Sequence, residues 1–238
     1  MTGPTATPTG EALSPLQQDL IDLLEAVRHA ERDLFAALDE SSHGEPVIEG
    51  LTARDVRAHM AAWREVEARR LLGTATDDDP RPGDPVDDAN ARIQADRGGW
   101  TAEQAAAAAA ASIDGLIGAI RASSNDALCE CDQLAAGIGA NGVNHALGHL
   151  SDIARIADAE ERYAELAAEV EAILDRNHLM PRDSGVMLYN LACHSGLSGR
   201  TDDALRLLGT AFARRADLRD HARDDPDLES IRDAIAAI

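Results

Sequence analysis

The sequence predicts an all-α protein, and three observations support that prediction. Apolar residues make up 45% of the 238-residue chain but aromatic residues only 3%, so the core must consist mainly of Leu, Ile, Val and Ala. Such a core suits packed helices better than sheets, in which aromatic and β-branched residues are enriched. Apolar residues recur at helical spacing, and Ser or Thr stands before several of these runs. We therefore expect a four-helix bundle followed by a module of shorter helices.

The first predicted helix begins at Ser14-Pro15, where Ser14 caps the helix and Pro15 occupies the first turn. His29 flanks the apolar stripe of this helix and is expected at the surface or its boundary. Residues 41–50 break the helix, and residues 1–12 are expected to form a disordered leader. The apolar stripe consists of Leu16, Leu20, Leu23, Val27, Leu34 and Leu38.

The second predicted helix opens at Thr52, with Asp55 at the third position in a capping-box-like arrangement. His59 lies on the apolar face of this helix, so taken alone it is interpreted as a core histidine satisfied by a hydrogen bond. Residues 73–100 then form a long acidic, Pro-rich crossover that is expected to be a solvated loop containing a short helix at 87–96. The other residues of the apolar face are Val56, Met60, Trp63, Val66 and Leu71.

The third predicted helix opens at Thr101, with Gln104 completing another capping box. Residues 121–140 connect it to the fourth predicted helix, at about residues 141–158. That helix carries His145 and His149 on a ridge that continues to Ile153 and Ile156, so both histidines are expected to face inward or to border the core.

The spacing of His145 and His149 indicates a metal site. Residues four apart on a helix lie one above the other, so the two imidazoles can point at one spot. Together with His59 from the second helix they would offer three nitrogens and leave room for water, which suits Zn²⁺ or Ni²⁺. Asp152 is expected to orient a ligand or to face solvent. No catalytic residue can be named.

The sequence of the C-terminal part predicts four further helical segments. A charged amphipathic helix spans residues 159–176. Asp183 is expected to cap the next helix, and a turn at residues 199–201 leads into another. A last short helix starts at the Asp-Asp-Pro of residues 224–226.

Charge and cysteine content limit the partners and the compartment. The formal net charge is −21, which disfavours binding to nucleic acid or to an anionic membrane. The odd number of cysteines without a disulfide framework predicts a reduced, cytoplasmic protein. We interpret Cys129 and Cys131 as two small buried thiols, although a Cys-x-Cys pair could also supply metal ligands.

The segment from Gly50 to Trp63, with His59 on it, resembles the second-helix signature of the DinB-like superfamily, which includes the N-terminal domains of mycothiol-dependent maleylpyruvate isomerases. The pair His145 and His149 stands where that family has a His-x-x-x-His on its fourth helix. The resemblance covers residues 13–158 and implies a four-helix bundle whose three histidines bind a divalent metal. It also implies a low-molecular-weight thiol such as mycothiol as a cosubstrate of some members.

Residues 159–238 contain a segment that resembles one tetratricopeptide repeat. Small and apolar residues recur at the spacing of that repeat, although the Pro expected at its end is absent and Ala216-Asp217 stands there. The repeat residues are Leu188, Leu191, Ala192, Gly199, Ala204, Leu208 and Ala211.

Two functions follow as expectations. The first is a metal-binding enzyme that would act on a small molecule as a thiol-dependent transferase or isomerase. The alternative is a non-catalytic protein whose C-terminal helices bind a protein partner or form a homodimer.

Overall fold

The chain is 76% helical with one small β-hairpin, which confirms the all-α class. The structure is a computed structural model that describes residues 12–39, 42, 46–48, 50–81, 84–130, 137–236 and 238. The predicted leader, apart from residue 12, lies outside the described residues. Cys131 and the side chain of Cys129 lie outside them as well, so the interpretation of that pair stays a prediction.

The N-terminal region, which we define as residues 12–158, contains the three longest helices among the described residues. They are α1 (Pro15–Ala37), α2 (Ala53–Leu71) and α4 (Ala102–Ala122), and the same region contains the shorter α3 (Val86–Arg97), α5 (Asn125–Glu130) and α6 (His145–Ile156). A π-helical segment, Ile138–Asn144, runs directly into α6. The hairpin pairs β1 (Pro46–Ile48) with β2 (Leu51–Thr52) in front of α2.

The C-terminal region, residues 159–238, is built from shorter helices. They are α7 (Glu160–Leu174), α8 (Pro181–Leu197), α9 (Thr201–Arg214), α10 (Leu218–His221), a 3₁₀ segment (Pro226–Ile231) and α11 (Arg232–Ile235). Gly199 has a φ of +72° in the turn between α8 and α9, where a residue without Cβ avoids strain.

The starts of α1, α2 and α4 that were predicted from capping residues are confirmed. The side chains of Ser14, Thr52 and Thr101 each accept a hydrogen bond from the backbone N–H three positions on, and the backbone N–H of each capping residue donates to the side chain at that position. Two orphan backbone N–H groups are satisfied at each start, which is why these boundaries could be located from sequence.

Side-chain contacts between distant helices set their directions. Gln17 near the start of α1 donates to the carbonyls of Ile120 and Ser123 at the end of α4, and Arg28 pairs with Asp114 further along. Helices α1 and α4 are therefore antiparallel.

Helices α2 and α6 are antiparallel too. His59 contacts His145 near the middle of α2, while Glu67, two turns later on α2, accepts a hydrogen bond from Asn141 just before α6. This arrangement places the histidine of α2 level with the histidine pair of α6, which the sequence could not determine.

Helix α4 is long enough and apolar enough to cross a membrane, by length and composition alone. Its large apolar residues nevertheless pack inward against α1 and α2, and its outer face consists mainly of small residues. This is the packing of a core helix. The buried large side chains are Ile113, Leu116, Ile117 and Ile120.

The acidic crossover differs in part from the predicted solvated loop. Its short helix is present as α3, and Asp77 is fully solvated. Asp79, however, is buried, where it pairs with Arg69 and accepts a hydrogen bond from the backbone N–H of Thr76. The aspartate run thus anchors the crossover to the end of α2 through one of its members.

One local prediction was wrong. Asp183 does not cap α8, because the helix begins earlier, at Pro181, and Asp183 lies in its first turn. His145 and His149 are half-buried and border the core, as expected, although Ile156 on the same ridge is 40% exposed. The hairpin before α2 had no predicted counterpart. His29 is exposed, as expected.

The two regions share one hydrophobic core. Tyr163 of α7 is completely buried, and its hydroxyl donates to the carbonyl of Leu147 in α6 at 3.0 Å. Ser151 of α6 lies 2.8 Å from Nδ1 of His194 in α8. Arg176 and Arg162 at the two ends of α7 bind the flanks of α1. The C-terminal helices therefore form part of the same packed unit as the N-terminal helices.

Candidate metal centre

The structure brings the three predicted histidines together. Nε2 of His145 lies 3.0 Å from Nε2 of His59 and 2.9 Å from Nε2 of His149. One nitrogen from each ring lies within 4.8 Å of the others. His59 comes from the middle of α2, whereas His145 and His149 come from successive turns of α6.

The convergence of these nitrogens is unusual for hydrogen bonding alone. A ring nitrogen carries either one hydrogen or one lone pair in the ring plane, so Nε2 of His145 can make only one linear bond to its two neighbours. In a tetrahedral site with Zn–N distances of about 2.0–2.1 Å, ligand nitrogens are separated by about 3.3 Å. The observed spacings are close to that value, and the donor set fits a divalent metal.

Burial keeps two of these imidazoles neutral. Burial, followed by the charge of His149, lowers the pKa of His59 to about 4. Burial, followed by electrostatic repulsion from His149, His59 and Arg64 when the ring takes up a proton, holds the pKa of His145 well below its usual value. At neutral pH both rings therefore offer a lone pair without first losing a proton.

The outer contacts of the site are incomplete. Metal-binding histidines usually donate their second ring N–H to an acceptor, which fixes the ring. Nδ1 of His145 is buried and has no hydrogen-bond partner among the described residues. Asp152 does not supply one, because it forms an ion pair with Arg155 one turn further along α6.

A buried ion cluster lies beside the histidines, and the sequence analysis did not identify it. Arg64 of α2 is 0% exposed, and its Nη1 lies 2.8 Å from a carboxylate oxygen of Glu31 in α1. Arg57 donates to the other oxygen of Glu31 at 3.1 Å. Two cations and one anion leave a net positive charge near His145. The available signal was the position of Arg64 among the buried residues of α2 and of Glu31 among those of α1.

The histidine pair lines a cleft between the two regions of the chain. The cleft has a volume of about 710 Å³, and His145 and His149 form part of its N-terminal wall. The opposite wall belongs to α8, α10 and the 3₁₀ segment, and includes Cys193 and Asp225. A second cavity, of about 610 Å³, lies on the other side of His145 beside Trp63. Small molecules could thus approach the histidines from two directions.

Comparisons of the chain with models of protein families, with curated proteins and with solved structures found no match. The resemblance to the DinB-like superfamily therefore rests on the quoted residues alone.

Proposed function

We propose that the chain is a divalent-metal-binding protein of the DinB-like type, in which α1, α2, α4 and α6 form the four-helix bundle and His59, His145 and His149 hold the metal. The observation that carries the proposal is the approach of three Nε2 atoms to one point. Two neutral imidazoles, antiparallel α2 and α6, and the long crossover between α2 and α4 support it.

We further propose that the centre serves a reaction on a small molecule, as a thiol-dependent transferase or isomerase with a thiol such as mycothiol as cosubstrate. Bound at the three imidazoles, Zn²⁺ or Ni²⁺ would lower the pKa of a water or thiol ligand toward neutrality. His145 and His149 line the cleft, whose volume of about 710 Å³ suits a small molecule. The cytoplasmic location predicted from the cysteines fits a reduced thiol.

The interaction alternative has less support. Helices α7 and α8 pack on the N-terminal helices, as the buried Tyr163, Leu166 and Val170 of α7 illustrate. In the tetratricopeptide-like hairpin, α8 would therefore act as a wall of the cleft, whereas α9 packs on α8. Partner binding or dimer formation would have to use the outer surface of these helices.

Metal analysis of the purified protein tests the proposal. We expect one metal ion to depend on the three histidines, with binding lost in His149→Ala and weakened at least about tenfold in His59→Ala. His29→Ala is the matched control, because this residue is exposed on α1 and does not belong to the converging histidines. The proposed centre is excluded if no metal that depends on these histidines is bound after reconstitution with Zn²⁺ and Ni²⁺.

A further inference from the structure

The C-terminal wall of the cleft carries a second group of metal-binding side chains. Cys193 lies on α8, whereas Asp225 and Asp227 lie at the start of the 3₁₀ segment. One donor atom from each of the three residues lies within 4.8 Å of the others. All three line the same cleft as the histidine pair.

Contacts with neighbouring residues fix this group in place. The hydroxyl of Tyr189 donates to Oδ2 of Asp225 at 2.6 Å, and the backbone N–H of Asp227 donates to Oδ1 at 3.0 Å. Cys193 is only 8% exposed, and its Sγ lies 3.9 Å from the same Oδ2. The position of the donors therefore follows from the packing of α8 against the 3₁₀ segment.

The group concentrates acidic donors at one place on the cleft wall. Oδ2 of Asp225 lies 3.9 Å from Sγ of Cys193 and 3.7 Å from Nε2 of His221. The side chain of Arg232 donates to the backbone carbonyl of Asp225 and not to its carboxylate. Two carboxylates and a sulfur that lie this close together form a donor set for a divalent cation.

The donor types define which cation fits. One sulfur and two carboxylate oxygens, with an imidazole nearby, form a mixed set that suits a borderline-soft ion such as Zn²⁺ rather than Ca²⁺ or Mg²⁺. Zn–S of about 2.3 Å and Zn–O of about 2.0 Å place S and O about 3.5 Å apart in a tetrahedron. The observed separation of 3.9 Å requires only a small contraction.

We propose that Cys193, Asp225 and Asp227 form a second divalent-metal site of the Zn²⁺ class, facing the histidine centre across the cleft. Binding converts the Cys193 thiol to a thiolate and releases its proton to solvent. His221, whose Nε2 lies 3.7 Å from Oδ2 of Asp225, could supply a further nitrogen donor. The site does not depend on the proposed function of the histidines.

Cobalt binding gives a direct test, because only a thiolate ligand produces an intense charge-transfer absorption of Co²⁺ in the near ultraviolet. The protein used is Cys129→Ser/Cys131→Ser, in which Cys193 is the one remaining thiol. We expect this absorption to saturate at one equivalent of Co²⁺ per chain. It should persist in His149→Ala and disappear when Cys193→Ser is added.

A second variant keeps the test valid if substitution of the buried cysteine disturbs folding. Asp227→Asn changes an exposed carboxylate and should weaken Co²⁺ binding at this site at least about tenfold. Asp224→Asn is the matched control, because its carboxylate lies outside the group, and it should leave this affinity unchanged.

The outcomes for the two centres are separable. Thiolate absorption without histidine-dependent metal supports the second site and excludes the proposed function. Histidine-dependent metal without thiolate absorption overturns the second site. Equal effects of Asp227→Asn and Asp224→Asn would also overturn it.

Discussion

The two walls of the cleft differ in the charge and the donor atoms that they offer. The N-terminal wall contributes His145 and His149, with the cationic Arg64 buried nearby. The C-terminal wall contributes Cys193 and Asp225, whose donor atoms are anionic once the thiol ionises. A bound molecule would thus meet imidazole nitrogens on one side and acidic groups on the other. The contrast indicates that polar substrates would bind in one orientation.

The two regions also differ in how their helices are stabilised. The N-terminal helices α1, α2 and α4 have capping boxes, are long, and bury full apolar stripes. The C-terminal helices are shorter, and α7, α8 and α9 have no side-chain cap at their N-cap residues. Because short helices are marginal alone, we attribute the order of the C-terminal region mainly to packing against the N-terminal region.

Removal of residues 159–238 tests this dependence and should have the largest effect. The deletion uncovers apolar surface of α1 and α6, so we expect the free energy of unfolding to fall by more than about 5 kcal/mol, comparable to the whole stability of many domains. Light scattering and urea unfolding measure the result. A truncated chain that stays monomeric and unfolds cooperatively would show that the two regions are independent domains.

Substitution of Tyr163 tests the packing between the N-terminal and C-terminal regions at one residue. Tyr163→Ala removes a fully buried ring from the common core and should lower the free energy of unfolding by about 3–5 kcal/mol. Tyr163→Phe removes only the hydrogen bond to the Leu147 carbonyl and should cost about 1–3 kcal/mol, because the buried carbonyl loses a donor. Urea unfolding compares the two. Equal losses would mean that the ring is not packed as described.

Acidification should weaken the packing between the N-terminal and C-terminal regions through His194. Burial, followed by the charges of Arg200 and Arg155, lowers the pKa of His194 to about 4. The unfolded chain therefore takes up a proton at His194 near pH 6.5, whereas the folded chain takes it up only near pH 4. The free energy of unfolding consequently falls as the pH decreases between these values. We expect a loss on the order of 3 kcal/mol from this residue.

The measurement compares the metal-free protein with His194→Asn, which can keep a hydrogen bond to Ser151. The variant should lose less stability than the unsubstituted protein between pH 6.5 and pH 4. Parallel pH profiles would assign the acid sensitivity to other groups.

Close packing at Gly142 should give the smallest effect. A Cβ at this position would lie 3.1 Å from the side chains of Leu116 and Leu24, so Gly142→Ala should cost about 1–2 kcal/mol. The control is Gly209→Ala in α9, where nothing lies within 4 Å and a gain of about 0.5–1 kcal/mol is expected. Thermal unfolding of both variants checks the contrast, and a gain for Gly142→Ala would contradict the close contact.

Much of the helical framework was predictable because its signals are local. Ser14, Thr52 and Thr101 satisfy backbone groups only a few residues away, and α3 was expected within the crossover. The cap at Asp183 failed because Pro181 and the packing of α8 start that helix earlier. The hairpin of β1 and β2 was missed because its strands contain only three and two residues, too few to establish an alternating pattern.

The amino-acid sequence by itself determined the helical class, the main helix starts and the pairing of His145 with His149, since each depends on residues within a few positions of one another. Only the tertiary structure decided that His59 joins that pair, because its height follows from the antiparallel packing of α2 and α6. The tertiary structure alone also brought Cys193 to Asp225 and Asp227, which are more than thirty positions later. Long-range packing, which no local pattern encodes, therefore determines both candidate centres.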